Sequence, residues 1–268
     1  MDSIVQSNDY MITTAMAVVS NVIDEQTGES YTAQNKRIKF TDFLIATAYA
    51  DTSACTRLVN EACSNSIKYE DYNGCGTKQM TGSSTLTYSS TACSLDVGQT
   101  VAKANNQVYL NGVNGGQIFF SSTNGGSTDY LGRSYQGGSA LLRNADSFSI
   151  SIPGEHSGFL INGVPYASVS IKTNSSITIT RGLSRANRQL DGGALEISHN
   201  IKKFSMVLVP TNVRYKTNCC YPVSGTLATT FSGSKTGSFV TTFNGCGTGT
   251  VANTDGSNST AFTMTYCL

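Results

Sequence analysis

Eight cysteines fall in two quartets, Cys55, Cys63, Cys75 and Cys93, then Cys219, Cys220, Cys246 and Cys267, with none between Cys93 and Cys219. An even number of thiols in segregated clusters points to disulfides, and disulfides persist in oxidising compartments. Zinc chemistry would need CxxC-like pairs, and the sequence has none. Cys219 and Cys220 are adjacent, and a bond between them would close a strained ring, so each is expected to reach Cys246 or Cys267. The run from Cys55 to Cys63 reads as helical, which places those two sulfurs about 12 Å apart at 1.5 Å per residue, beyond bridging distance. One rule then covers both quartets. The two leading cysteines pair with the cysteine of an Asn-Gly-Cys-Gly string and with the closing one. That string occurs twice, as Tyr72-Asn73-Gly74-Cys75-Gly76-Thr77 and as Phe243-Asn244-Gly245-Cys246-Gly247-Thr248, so the chain carries two related disulfide-bearing units, one towards each end.

Other reactive groups are sparse. Only two histidines are present. His156, in Pro153-Gly154-Glu155-His156-Ser157-Gly158, lacks the serine and the strand-to-helix turn of a nucleophile elbow and reads as a turn residue. His199 shares parity with Leu195 and Ile197 and is expected to face the core. Neither belongs to an acidic cluster at metal-ligand spacing, so no metal and no cofactor is expected. The carboxylates of the strand-rich region, Asp129, Asp146, Glu155, Asp191, Glu196 and Asp255, read as surface turn groups. Glycoside hydrolysis would need two of them to flank a cleft, with Asp146 and Glu155 or Asp191 and Glu196 as the candidate pairs. Arg181, Arg185 and Arg188, with Lys202 and Lys203 nearby, form the densest basic segment and could meet a phosphorylated glycan, a lipid headgroup or an acidic peptide. Tyr130, Tyr135 and Tyr166, in Gly-rich connections, could stack on a sugar ring, with Arg133 and neighbouring asparagines bonding its hydroxyls. The candidate binding residues are therefore Tyr130, Arg133, Tyr135, Arg181, Arg185 and Arg188, and no catalytic residue is assigned.

Several elements must hold these groups in place. Met11, Ile12, Ala15, Val18, Val19, Val22 and Ile23 recur at spacings of three and four and mark an amphipathic helix over residues 8 to 24. A second helical stretch is expected from Asp42 to Ala50, followed by the Cys55 to Cys63 run. From Lys68 the period changes to two. Leu86 and Tyr88; Phe148, Ile150 and Ile152; Val169 and Ile171; Ile177 and Ile179; Leu195 and Ile197; Phe204, Met206 and Leu208; and Phe262, Met264 and Tyr266 alternate with Ser, Thr and other residues. Turn signals separate them at Asn114-Gly115-Gly116, Asn124-Gly125-Gly126, Gln136-Gly137-Gly138, Asn162-Gly163 and Asp191-Gly192-Gly193. The expectation is a mainly β protein, a large antiparallel sheet, sandwich or partly open barrel of about twelve strands. Residues 1–66 would form a helical segment packed on a β-rich body spanning 67–268.

Of the 268 residues only 13% are charged, the net charge is +1, and Gly, Ser, Thr and Asn are abundant. Such a charge-poor, hydroxyl-rich surface suits an extracellular or cell-surface β protein, and no basic face for nucleic acid is visible. No apolar run reaches the roughly 18 residues that span a bilayer. Met1-Asp2-Ser3 does not open a signal peptide, so an export leader is expected to have been removed and a lipid-anchored N-terminus could lie upstream. The string Cys219-Cys220-Tyr221-Pro222-Val223-Ser224-Gly225, then Thr229-Thr230-Phe231-Ser232-Gly233-Ser234 and Phe243 to Thr248, resembles poorly characterised, β-rich exported lipoproteins of bdellovibrio-type predatory bacteria. The likeness covers about the last fifty residues and the echo at 72 to 93. It implies an envelope location and a lipid-anchored N-terminus, and it brings no catalytic or binding motif. The function read from the sequence is thus a non-catalytic binding or structural component of the periplasm, outer membrane or cell surface, its partner a glycan, a lipid or an envelope protein. A cell-wall or polysaccharide hydrolase and a fibre or adhesin subunit are the alternatives.

Overall fold

The computed structural model describes residues 58–64, 66–75, 78–111, 116–121, 129–161, 164–184, 187–216 and 219–263, so the two expected helices before residue 51 lie outside the described residues. The described chain is mainly β. Its first strands are β1 (Leu58–Ser64), β2 (Ile67–Cys75), β3 (Lys78–Tyr88), β4 (Thr100–Asn111), β5 (Gly116–Ser121), β6 (Gly138–Arg143) and β7 (Ser147–Ile161). There follow β8 (Val164–Ser175), β9 (Ile177–Thr180), β10 (Gln189–Asp191), β11 (Ala194–His199) and β12 (Phe204–Lys216). The last four are β13 (Cys219–Gly233), β14 (Gly237–Gly245), β15 (Thr248–Asn253) and β16 (Thr260–Thr263).

All of them join one sheet, and every strand pairing among the described residues is antiparallel, as short Gly-rich turns between alternating segments require. The number of strands exceeds the expected dozen because three strand positions are broken. β8 and β9 both pair with β7, separated by Ser176. β10 and β11 both pair with β12, separated by Gly192 and Gly193. β5 and β6 both lie between β4 and β7, and the described residues 129–137 lie outside that position before the chain returns to it at Gly138. Counting each broken pair once, the sheet is an up-and-down meander of successive neighbours from β1 to β16, and among the described residues its hydrogen-bonded path does not close on itself. Gly138 makes the return to β6 possible, because its φ of 67° suits glycine and a Cβ there would collide with the Lys103 carbonyl.

One correction concerns the segment before residue 67. The stretch through Cys63 is not helical at its C-terminal end. Leu58 to Ser64 is a strand whose residues pair with Ile67 to Asp71, so 58–66 belongs with the sheet and not with a helical segment. Backbone pairing across a tight turn, together with a Cys63–Cys93 bridge, takes the place of the helix that spacing suggested.

A single apolar cluster runs through the sheet from Leu86 and Val101, through Leu141, Ile150, Ile171, Ile179 and Ile197, to Met206, Leu227, Phe243 and Phe262. β12 shows how alternation builds it: Phe204, Met206, Leu208, Val213 and Tyr215 are buried, while Arg214 and Lys216 are exposed. His199 follows the expected parity, buried with its ring centroid 5.3 Å from that of Phe204.

Because successive strands alternate in direction, the connections gather at two ends. Among the described residues the connections 89–99, 144–146, 181–184 with 187–188, and 246–247 share one end, and the connections 200–203, 234–236 and 254–259 share the other. Both bridges among the described residues, Cys63–Cys93 and Cys219–Cys246, fasten the first of these ends. No described helix is long and apolar enough to cross a membrane.

Candidate functional site

Two clusters that contain arginine stand out, one closed and one open. The closed group forms where the excursion between β5 and β6 lies over β11. Two residue types on β11 made it legible only in part: Leu195, Ile197 and His199 face the apolar core, but Glu196 and Ser198 on the opposite parity are buried as well. The cover is the segment around Asp129. Its Oδ1 accepts the backbone N–H of Leu131 and of Arg133, both at 2.9 Å, and its Oδ2 accepts Arg133 Nε at 2.7 Å and the Tyr135 hydroxyl at 3.1 Å. Arg133 Nη2 then reaches Glu196 Oε1 at 2.6 Å and donates to Ser198 Oγ at 3.1 Å. Lys172 Nζ lies 3.6 Å from the other Glu196 oxygen and 5.7 Å from the centre of the Tyr135 ring.

The electrostatics match a sealed network. Burial raises the Asp129 pKa, but the Arg133 and Leu131 N–H donors and the Arg133 guanidinium outweigh it, and the carboxyl titrates below the usual aspartate range. Burial pushes the Tyr135 phenol up to about 12, so it acts as a neutral donor. Burial would lower the Arg133 pKa, and hydrogen bonds to Asp129 and Glu196 raise it, keeping the guanidinium charged. Every charge here is matched by an opposite one, which favours a structural role.

This corrects four sequence readings. Tyr135 is only 1% exposed and cannot stack on a sugar, because the excursion folds it under its own loop. Asp129 and Glu196 are buried partners of Arg133, not surface turn groups, and Glu155 is also buried, accepting Asn105 Nδ2 at 3.0 Å. His156 lies within β7 instead of a turn, with Nδ1 3.2 Å from Ser170 Oγ, and burial holds its pKa below the usual value. Tyr130 is half-buried, its hydroxyl 3.1 Å from Ser205 Oγ. The Tyr166 side chain and the Gly-rich runs 112–115 and 122–128 lie outside the described residues.

The open group lies at the bridged end of the meander. Thr180, Gln189, Arg214 and Ser224 are successive cross-strand partners on β9, β10, β12 and β13. Beyond that row the β9–β10 connection begins with Arg181, and Lys216 stands opposite Cys219, which the bridge to Cys246 anchors. Arg181, Asn187, Arg214, Tyr215, Lys216, Val223 and Ser224 line a cleft of about 450 Å³, with three cations and no carboxylate in the lining. Arg214 is oriented from behind: its Nε donates to Gln189 Oε1 at 2.8 Å, and Gln189 Nε2 donates to Asn212 Oδ1 at 2.7 Å. A guanidinium held through Nε keeps its outer edge for a planar, two-oxygen acceptor.

Of the expected arginine loop, Arg181 lines the cleft and Arg185 lies outside the described residues. Arg188 is the correction. It is fully buried, its guanidinium carbon 5.8 Å from the centre of the Tyr215 ring, because it precedes β10 and points inward beneath the cleft wall. Arg214 and Lys216 were missed because they belong to a strand and not to a loop. Their alternation with Val213 and Tyr215 was the available signal.

The candidate carboxylate pairs are not brought together at a cleft. Asp146 precedes β7 and Glu155 lies well along it, about 30 Å away at about 3.3 Å per residue, whereas glycoside hydrolysis works at roughly 5 to 10 Å. Asp191 Oδ1 accepts the Asn212 N–H at 3.2 Å, and Glu196 is engaged by Arg133. Among the described residues no cluster of three or more His, Cys, Asp or Glu side chains could hold a metal ion. No protein-family model, no curated protein and no solved structure matches the chain.

Proposed function

We propose that this is an extracytoplasmic, disulfide-stabilised binding protein of the cell envelope or surface, which holds acid-bearing glycans in the Arg181–Arg214–Lys216 cleft without catalysis. The single observation that carries the reading is that cleft: three cations lining one concavity, free of carboxylates, with one guanidinium oriented through Nε. The shared chemistry of its ligand is a phosphate, sulfate or carboxylate on a polyhydroxylated body, with Asn187 and Ser224 available to its hydroxyls. The bridges support the compartment, since such bonds last outside the cytosol. The scaffold suits the role, because a large antiparallel meander around one core presents rigid strand ends.

The test is binding of phosphorylated, sulfated, uronate-containing and neutral oligosaccharides, with glycerophosphate as a separate arm for a headgroup source. Acidic oligosaccharides should bind, neutral ones should not, and Arg214→Ala should weaken binding about tenfold or more. Equal binding of neutral sugars, or an Arg214→Ala variant that binds as well as the parent, overturns the reading. Glycerophosphate binding as tightly as any oligosaccharide would assign the cleft to a headgroup instead of a glycan.

A further inference from the structure

The end of the meander opposite the cleft carries a different surface. The β11–β12 turn presents Ile201, 48% exposed, followed by the exposed Lys202 and Lys203. The β13–β14 turn is tied to it, since the Ser234 N–H donates to the Lys203 carbonyl at 3.0 Å and Ser234 Oγ donates to the Lys202 carbonyl. That tie brings in Lys235, whose ammonium lies 4.9 Å from the centre of the Phe204 ring. A second exposed apolar side chain, Leu131 at 60%, adjoins Tyr130, whose hydroxyl meets Ser205 at the start of β12. Neither Lys202 nor Lys203 is ion-paired among the described residues: Asp129 is held by Arg133, and Asp255 in the β15–β16 turn accepts the Ser257 N–H and hydroxyl.

We infer that this end docks on an anionic lipid bilayer, with Ile201 and Leu131 entering the interface and the exposed Lys202 and Lys203 facing the headgroups. The chemistry separates this partner from the others. Isolated apolar tips ringed by lysines gain from an interface that is apolar at depth and negative at its surface. A protein partner would call for a contiguous apolar patch, and lysine is depleted from such interfaces. A soluble acidic polymer would use the lysines and leave the apolar tips with nothing to do. The inference is independent of the cleft, because the two surfaces occupy opposite ends of the strands, and together they would aim the cleft away from the membrane.

Co-sedimentation of the full chain with vesicles tests it, comparing neutral phosphatidylcholine with phosphatidylcholine containing phosphatidylserine. Binding should require the anionic lipid and should fall about fivefold for each lysine removed in Lys202→Ala and Lys203→Ala. Ile201→Ser, an exposed turn position that the fold does not depend on, should reduce partition about tenfold. Arg214→Ala should leave vesicle binding unchanged. Equal binding to neutral vesicles overturns the inference. So does loss with the lysine variants but not with Ile201→Ser or Leu131→Ser, which would mark charge attraction without insertion.

Discussion

Arg133 and Arg214 are both held through Nε, yet they sit in opposite circumstances. Arg133, its side chain 35% exposed, is held between Asp129 on one side and Glu196 on the other, beside the buried Tyr135. Arg214 has only the neutral Gln189 behind it and shares its cleft with Arg181 and Lys216. The difference teaches that basic residues mark function by what they lack. A guanidinium matched by two carboxylates holds a fold together, and one matched by an amide is available to a ligand.

The largest effect should come from breaking the closed cluster. Asp129→Ala removes the acceptor of Arg133, Tyr135 and two backbone N–H groups and should cost about 3 to 5 kcal/mol in chemical denaturation. A loss below about 1 kcal/mol would mean that the cluster is not what secures the excursion. Next comes the bridge that fixes the cleft end. Replacing Cys219 and Cys246 together by serine should cost about 2 to 4 kcal/mol and weaken ligand binding, because Lys216 pairs with Cys219. Peptide mapping of the unreduced protein sharpens this comparison of the two cysteine units. The bridges described join the second cysteine to the fourth in one quartet and the first to the third in the other. A common rule for both quartets therefore predicts linked peptides Cys55–Cys75 and Cys220–Cys267, and any other linkage breaks the likeness.

A smaller effect should appear with pH. Burial first, then the charges of Lys202 and Lys235, push the His199 imidazole down to about 4 from its usual 6.5. Between those values the unfolded chain binds a proton that the folded chain refuses, so stability should fall as pH drops through that window and be fully present above it. Below the usual aspartate range Asp129 adds a further loss as its carboxylate protonates. Urea midpoints measured from pH 7 to 4 check this, and His199→Gln should flatten the upper part of the slope. The smallest stability effect should be at the cleft. Arg214→Ala and Lys216→Ala should each change stability by no more than about 0.5 kcal/mol, in contrast to Asp129→Ala, while reducing binding.

Much of the sheet was legible because alternation is local. Phe204-Met206-Leu208 and Ile177-Ile179 announce their buried face, and the glycine pairs announce where strands break or turn. The antiparallel meander followed from those signals. The burial of Asp129, Tyr135 and Glu196 did not, because it depends on residues 129–137 lying on a strand some sixty residues away in the chain. The helical reading before Cys63 failed for a related reason: pairing with β2 outweighs a local preference. At the cleft, Arg181 was visible as part of a basic segment, whereas Arg188 was hidden beneath Tyr215 and Arg214 was overlooked as an ordinary strand residue.

The most direct measurement is the rate at which each arginine reacts with phenylglyoxal, read by peptide mass spectrometry with and without an acidic oligosaccharide. Arg181 and Arg214 should react fast and be protected by the oligosaccharide, while Arg133 and Arg188 react slowly under both conditions. Arg133 reacting as fast as Arg214, or ligand that leaves Arg214 unprotected, would contradict the division between a closed cluster and an open cleft.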